Sequence, residues 1–221
     1  MSPSTPPDPT TLKELQERLM TLSHDDVAAK LVRDFAQHLS KPQRQSTFNA
    51  PGALLRSPIV YEEALECGVI PPEEDAFDFL QGDVIGTEAA YSLGERIENA
   101  KYVIANSSCD LVQGRRPDSQ VLLIPIIHIQ TSNADFKQVL GEALSFKSKQ
   151  RMYIPKIPGD PQDTVGNYIA FDSMALIRND ALGLATRYAS LSLVGWRIFA
   201  SLMRNVLTRA GQSEVDLRTK A

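Results

Sequence analysis

The stretch Lys101–Ile129 decides the fold, because two apolar segments there flank a polar turn. The segments are Tyr102-Val-Ile-Ala105 and Val121-Leu-Leu-Ile-Pro-Ile-Ile127, and the turn begins as Asn106-Ser-Ser-Cys-Asp110. Segments rich in Tyr, Val and Ile favour β-strands. The continuous apolar run of the second segment predicts a strand that is buried on both faces. We therefore expect two neighbouring strands of a small closed sheet, with the polar turn where the first strand ends.

Helices are predicted on both sides of this sheet. Leucines recur at three- and four-residue spacing over Thr10–Leu22, and a second apolar stripe follows before Pro42. Near the C-terminus, Leu176–Ala189 is predicted to be helical. A longer helix begins after Ser190-Leu-Ser192, because serine is a good N-cap and apolar pairs then recur every four residues.

The chain divides into a β-rich unit between helical regions, which predicts an α+β fold. Met152–Ile154 and Asn167–Phe171 are expected to form a hairpin with a wide loop inside that unit. In order, the predicted parts are a disordered tail (1–9), an N-terminal helical pair (10–40), a connector (41–79), the β-rich unit (80–172), C-terminal helices (173–211) and a second tail (212–221).

The composition is that of an ordinary globular protein of 221 residues, with 43% hydrophobic and 23% charged residues. A net charge of -4 argues against a surface that binds nucleic acid all over, but it allows a local basic groove. The longest apolar run, Val121–Ile127, is far too short for a bilayer, and the N-terminus lacks the features of a secretory signal. Two cysteines do not make a disulfide framework. We therefore expect a cytoplasmic protein with no membrane partner.

The turn motif Asn106, Ser107, Cys109 and Asp110 allows three interpretations. Cys109 could be a nucleophile with Asp110 beside it and His128 as its base, since a catalytic thiol needs a base nearby. Asp110 could instead cap the turn by accepting hydrogen bonds from backbone N–H groups. The turn could also recognise a ligand or partner. The three histidines and two cysteines show no metal-ligand spacing, so we expect neither a metal nor a cofactor.

A basic set surrounds the predicted strand Met152–Ile154. Cations interleaved with an aromatic residue suit single-stranded RNA, because they neutralise phosphates and provide a stacking face. The same charges could instead form a solvated sheet edge that blocks strand addition. The predicted RNA-binding residues are Lys147, Lys149, Arg151, Tyr153 and Lys156, with Phe146 as a further stacking group.

Three segments, which lie in roughly residues 80–130, together resemble the MazF/PemK family of bacterial toxins. Gly82-Asp-Val-Ile85 matches the first strand of those toxins, Tyr102-Val-Ile-Ala-Asn106 matches a strand ending in Ser or Asn, and Val121-Leu-Leu-Ile-Pro-Ile126 matches a strand ending in Pro-Ile. The resemblance implies a small SH3-like barrel, usually dimeric, that cleaves single-stranded RNA without a metal.

A second resemblance involves the polar turn. Asn106-Ser-Ser-Cys-Asp-Leu111 is similar to a Ser/Thr-Gln-x-Cys-Asp-Leu motif of bacterial proteins that have no settled activity. In those proteins an Ala-Ser-Leu-Ser run precedes the last helix, as Ala189-Ser-Leu-Ser192 does here.

The sequence departs from the toxin pattern at both catalytic positions. The toxins carry their arginine in a Gly-Arg-Arg-Pro-like lead, but here the lead is Gly94–Ala100 and Arg96 has no proline after it. Ile127 stands where the toxins have Thr or Ser. Metal-free RNA cleavage needs a group that moves the 2′-hydroxyl proton and a cation that stabilises charge on the phosphate.

We therefore predict a catalytically degenerate MazF/PemK-like barrel that acts as a protein-binding or regulatory module. The setting implied by the resemblance is a toxin–antitoxin, stress or phage-defence system, with an antitoxin-like or regulatory protein as partner and a homodimer as the assembly. The alternative is a metal-independent endoribonuclease for single-stranded RNA. It would use Arg96 or Arg116 to stabilise charge and His128 or Asp110 to transfer the proton.

Overall fold

The structure is a computed structural model that describes residues 8–22, 25–73, 75–92, 95–96, 100–112 and 119–208. The helices are α1 (Leu12–Thr21), α2 (Asp25–His38), α3 (Lys41–Phe48), α4 (Tyr61–Glu66), α5 (Ser108–Leu111), α6 (Phe136–Ala143) and α7 (Leu193–Thr208), with a 3-10 helix over Asn179–Leu184. The strands are β1 (Leu55–Arg56), β2 (Asp83–Gly86), β3 (Tyr91–Ser92), β4 (Glu95–Arg96), β5 (Lys101–Ile104), β6 (Gln120–Gln130), β7 (Arg151–Ile154), β8 (Thr164–Ala170), β9 (Ala175–Arg178) and β10 (Thr186–Leu191).

The strands form one curled antiparallel sheet, a half-barrel built around the long strand β6. One edge of β6 pairs with β5, while its other edge pairs first with β9 and then with β8. From β5 the sheet continues through β2 and β10 to β1, and from β8 it continues to β7. The expected α+β class and the pairing of the two strands around Asn106 are thus confirmed. In the described residues the sheet ends at β1 on one side, while its other side branches at β6 and ends at β7 beyond β8 and at β4 beyond β9 and β3.

Both faces of the central strands are covered along most of β6, as its apolar run predicts, but Ile127 in that run is 40% exposed. One core cluster joins α1, α2 and α7 to the sheet, with Leu19, Phe35 and Phe199 packed near Val103 and Ile124. A smaller cluster lies on the opposite side. Its buried members are Ile85, Ala90, Tyr102, Ile104, Leu111, Val121, Leu123, Ala175, Ile177 and Leu182.

The prediction for the region after residue 172 is partly wrong. Leu176–Ala189 was expected to be helical, but it contains β9, the 3-10 helix and most of β10, so the sheet extends to Leu191. Burial in β9 alternates with every residue, which is the period of a half-buried strand. The expected cap of the last helix is confirmed, since Ser192 Oγ accepts a hydrogen bond from the Gly195 N–H at 3.2 Å.

The predicted connector, 41–79, also contains regular structure. It includes α3, β1 and α4. Pro42 ends the preceding helical pattern, but it lies in the first turn of α3, where its missing N–H costs no hydrogen bond. Ser23 precedes the second apolar stripe and is a plausible N-cap in the sequence, but it lies outside the described residues, as do the tail residues 1–7 and 209–221.

Candidate functional site

The polar turn after β5 is a structural corner of the sheet. The Asn106 carboxamide extends the β5–β6 ladder, because its Oδ1 accepts from the Leu122 N–H at 2.6 Å and its Nδ2 donates to the Gln120 carbonyl at 3.2 Å. Ser108 Oγ accepts from the Gln81 N–H at 3.0 Å. Asn106 and Ser108 therefore both bond backbone groups at this turn. Cys109 is exposed, and its Sγ lies 3.0 Å from Ser107 Oγ.

The expected meeting of Cys109 with His128 is wrong. Antiparallel pairing places the start of β6 beside the end of β5 and therefore near the turn with Cys109. His128 is near the other end of β6, about 25 Å away along the strand at ~3.3 Å per residue. A thiol–imidazole pair between these two residues cannot form in this fold.

His128 belongs instead to a buried polar cluster around Asp160, in the loop between β7 and β8. Lys101 Nζ lies 2.6 Å from Asp160 Oδ1, and the two side chains are 6% and 0% exposed. Asp160 Oδ2 accepts from the Ile157 N–H at 2.8 Å and from Asn167 Nδ2 at 2.8 Å. Burial alone would raise the pKa of Asp160, but these hydrogen bonds and the Lys101 charge together lower it. Asp160 is therefore a carboxylate that ties the loop to the sheet.

The same cluster fixes the orientation of the His128 ring. Asn167 Nδ2 donates to Asp160 and to the Pro155 carbonyl at 3.0 Å, so the Asn167 Oδ1 atom must face His128. Because His128 Nδ1 lies 2.7 Å from that oxygen, Nδ1 carries the proton and donates. Nε2 is then the ring nitrogen that does not face Asn167, on a side chain that is 24% exposed.

The Gly-Asp motif of β2 has a structural role as well. Asp83 is fully buried and accepts from the Leu80 N–H at 2.7 Å, Ser190 Oγ at 2.5 Å and Arg187 Nη2 at 3.0 Å. Arg187 Nε is also 2.7 Å from Asp83 Oδ2. Burial raises the pKa of Asp83 in spite of these donors. The motif therefore joins β2 to the Ala-Ser-Leu-Ser run that precedes α7.

The predicted RNA-binding set is only partly accessible. Lys147, Lys149, Arg151 and Lys156 are exposed. Tyr153 is fully buried and its hydroxyl donates to Asn49 Oδ1 at 2.6 Å, while burial raises its pKa to about 12. The prediction that Tyr153 stacks on RNA is therefore wrong, and the further stacking group Phe146 is 6% exposed.

The described part of the structure does not include the side chains of the two arginines that are expected to be catalytic. Arg96 lies opposite Tyr91 in the β3–β4 pair, but its side chain falls outside what the structure describes. Arg116 lies outside the described residues. Asp110 is in α5, in the turn with Cys109 and far from His128.

Two distant segments with very few acidic residues meet in the fold. Inspection of single residues in the sequence does not reveal this contact. Residues 35–61 contain three Lys or Arg residues and no Asp or Glu. Residues 136–159 contain five Lys or Arg residues and one Asp or Glu residue. Together they hold eight of the 23 basic residues but only one of the 27 acidic residues of the chain. The basic residues of this cationic face are Lys41, Arg44, Arg56, Lys137, Lys147, Lys149, Arg151 and Lys156.

Specific contacts hold the two segments of the cationic face together. The ring centroids of Phe48 and Phe146 are 4.7 Å apart, and Tyr153 bonds to Asn49 as described above. A groove of about 810 Å³ runs between β1 and the residues that follow β7, where the half-barrel does not close. Arg56 and Lys156 line it, and none of its described lining residues is acidic.

The part of the chain that the structure describes contains no group of three or more His, Cys, Asp or Glu residues that could hold a metal ion. None of the described helices has the length and apolar character needed to span a bilayer. Comparisons of the chain with protein-family models, with curated proteins and with solved structures found no match.

Proposed function

We propose that this protein is a non-catalytic, MazF/PemK-like barrel that acts in the cytoplasm as a protein-binding or regulatory module, and that its cationic face binds an acidic segment of the partner. One observation carries the proposal. Two distant parts of an acidic chain pack together, and between them they contain eight basic residues and one acidic residue. Opposite charges on a partner would steer association to this face and fix its orientation.

The arrangement of the candidate catalytic groups supports a binding role. Cys109 and Asp110 lie at one end of β6 and His128 near the other. Asp160 Oδ1 lies 3.8 Å from His128 Nδ1, and this carboxylate already accepts three hydrogen bonds from the loop and the sheet. Neither Cys109 nor Asp110 is therefore within hydrogen-bonding distance of His128.

The burial of the expected stacking residues favours a protein partner over single-stranded RNA. Binding of single strands relies on aromatic faces as much as on cations. Tyr153 and Phe146 are both buried, so the cationic face keeps its charges but loses these two stacking groups. An acidic antitoxin-like or regulatory protein, which the family resemblance implies, needs no such stacking.

Reversing two charges on the cationic face should weaken binding of a glutamate-rich peptide. We expect the double variant Lys147→Glu/Lys149→Glu to lose roughly tenfold or more in affinity, because two attractive contacts become repulsive. Fluorescence anisotropy of the labelled peptide measures this. The matched control is Lys13→Glu/Lys30→Glu, which makes the same charge change on α1 and α2. Equal losses in both variants, or tighter binding of oligouridine than of the peptide, would count against the proposal.

The orientation of His128 supports one other function, a metal-independent endoribonuclease. Its side chain is 24% exposed and its ring is held by a hydrogen bond at Nδ1, and a general base needs such a positioned ring. The cation that would stabilise the transition state would be Arg96 or Arg116, as the sequence suggests. We rank this function second because no described cation joins His128 except Lys101, which is bound to Asp160.

Incubation of the purified full chain with a pool of single-stranded RNA in EDTA separates the two functions. We expect no cleavage above the background of a mock purification, since the described site lacks a complete set of groups for it. Cleavage that disappears in both His128→Ala and Arg116→Ala, but persists in the control Lys13→Ala on the exposed side of α1, would establish the nuclease instead.

A further inference from the structure

A small pocket lies between α3 and α6 within the cationic face. Its volume is about 270 Å³, below the ~300–1,000 Å³ of sites for drug-sized ligands. Leu140 and Leu144 form apolar walls, and Lys41, Arg44 and Lys137 surround them. None of the described residues that line the pocket carries a carboxylate. The pocket therefore fits a single apolar side chain whose neighbouring residues are negatively charged.

Because Gly141 has no side chain, it leaves space in this pocket, but it lowers the stability of α6, which contains it. Glycine inside a helix is destabilising relative to alanine, because it loses more backbone freedom on folding. A Cβ atom at Gly141 would meet nothing within 4 Å, and the residue does not have a positive φ. At Gly166 and Gly195, by contrast, a Cβ atom would approach other atoms to 2.7 Å and 2.3 Å. Packing within this chain explains those two glycines but not Gly141.

One of the three cations around the pocket, Arg44, is held by the fold. Arg44 Nε donates to the carbonyl oxygens of Ala36 at 2.5 Å and Leu39 at 3.0 Å, which fixes this side chain at the pocket wall. Lys41 and Lys137 are exposed at the ends of α3 and α6 that face the same opening. Charge complementarity thus selects carboxylates next to the apolar side chain that enters the pocket.

We propose that the α3–α6 pocket receives one leucine-sized side chain from the acidic segment of a partner protein. This inference rests on the proposed function. It adds that one apolar side chain of the partner's acidic segment gives the specificity. Carboxylates on the segment contact Lys41, Arg44 and Lys137, and the apolar side chain fills the space above Gly141. Apolar anchors in pockets contribute most of the affinity at such interfaces, whereas exposed charges mainly steer association.

Two labelled peptides test the pocket on the full chain: a glutamate-rich peptide with one central leucine, and the same peptide with serine there. We expect the leucine peptide to bind at least roughly tenfold more tightly, because its side chain leaves water on binding. Gly141→Leu should abolish this preference by filling the pocket, without lowering the melting temperature of the protein. Gln138→Leu, on an exposed position of α6 outside the pocket, should keep the preference.

The outcomes separate the pocket from the proposed function. If the two peptides bind equally and their binding still depends on Lys147 and Lys149, the proposal about the pocket is wrong, but the proposal that the cationic face binds acidic segments stands. Failure of both peptides to bind would overturn both. A preference for leucine that survives in Gly141→Leu would show that the apolar side chain binds elsewhere, which also overturns the pocket.

Discussion

Replacing Asp83 with alanine is expected to lower the free energy of unfolding by about 3–5 kcal/mol. The change removes the acceptor of three hydrogen bonds and leaves Arg187, whose side chain is only 15% exposed, without its buried counter-charge. An unpaired buried charge costs more than the pair contributes. Because burial already raises the pKa of Asp83, the ion pair is retained at an energetic cost. The double variant Asp83→Leu/Arg187→Met should therefore recover much of the lost stability.

Equilibrium unfolding in urea measures this effect. Asp78→Ala is the matched control, because Asp78 is exposed and only its backbone carbonyl contacts Arg187, at 3.1 Å. We expect this control to lie close to the wild type. If Asp83→Ala were as stable as Asp78→Ala, the Gly-Asp motif would not have the structural role that its contacts indicate.

Local patterns in the sequence identify the elements whose residues face the core regularly. Both strands around Asn106 and the wide hairpin follow from their β-branched and aromatic residues, which suit a pleated, buried surface. Leu176–Ala189 misleads because its leucines and alanines fit a helix, while pairing of Leu176 with Leu122 and of Ala189 with Val84 makes strands of it. Tertiary pairing overrides propensity in this segment.

The candidate site depends on contacts between distant segments, and so most of it cannot be predicted from local patterns. The scarcity of carboxylates in 35–61 and in 136–159 is visible in the sequence. What the sequence does not show is that Asn49 and Phe48 contact Tyr153 and Phe146, which brings the two segments into one face. The pairing of Lys101 with Asp160 is equally non-local. The charge pattern could have suggested a basic surface, but not its shape or its pocket.

Replacing Lys101 with methionine is expected to destabilise the protein by about 3–5 kcal/mol at neutral pH, because it leaves the Asp160 carboxylate buried without a cation. Lys101 Nζ also donates to the Pro158 carbonyl at 2.8 Å and lies 4.7 Å from the Tyr188 ring centroid, so the loop between β7 and β8 loses several contacts at once. The matched control is Lys156→Met in the same loop, where the exposed Lys156 donates only to the Gln162 carbonyl at 3.1 Å.

The pH dependence distinguishes loss of the charge pair from loss of packing. In the wild type the pKa of Asp160 is lowered, so its contribution to stability is fully present above 3.8, the ordinary value, and is lost as the pH falls through the lowered pKa. In Lys101→Met burial acts without a counter-charge and raises the pKa of Asp160, so protonation at acid pH relieves the buried charge and stabilises this variant. The difference in unfolding free energy between the two proteins should therefore shrink steadily as the pH falls from neutral to below 3.8. A difference that stays constant over this range would mean that Lys101 stabilises the loop through its contacts with the Pro158 carbonyl and the Tyr188 ring and not through Asp160.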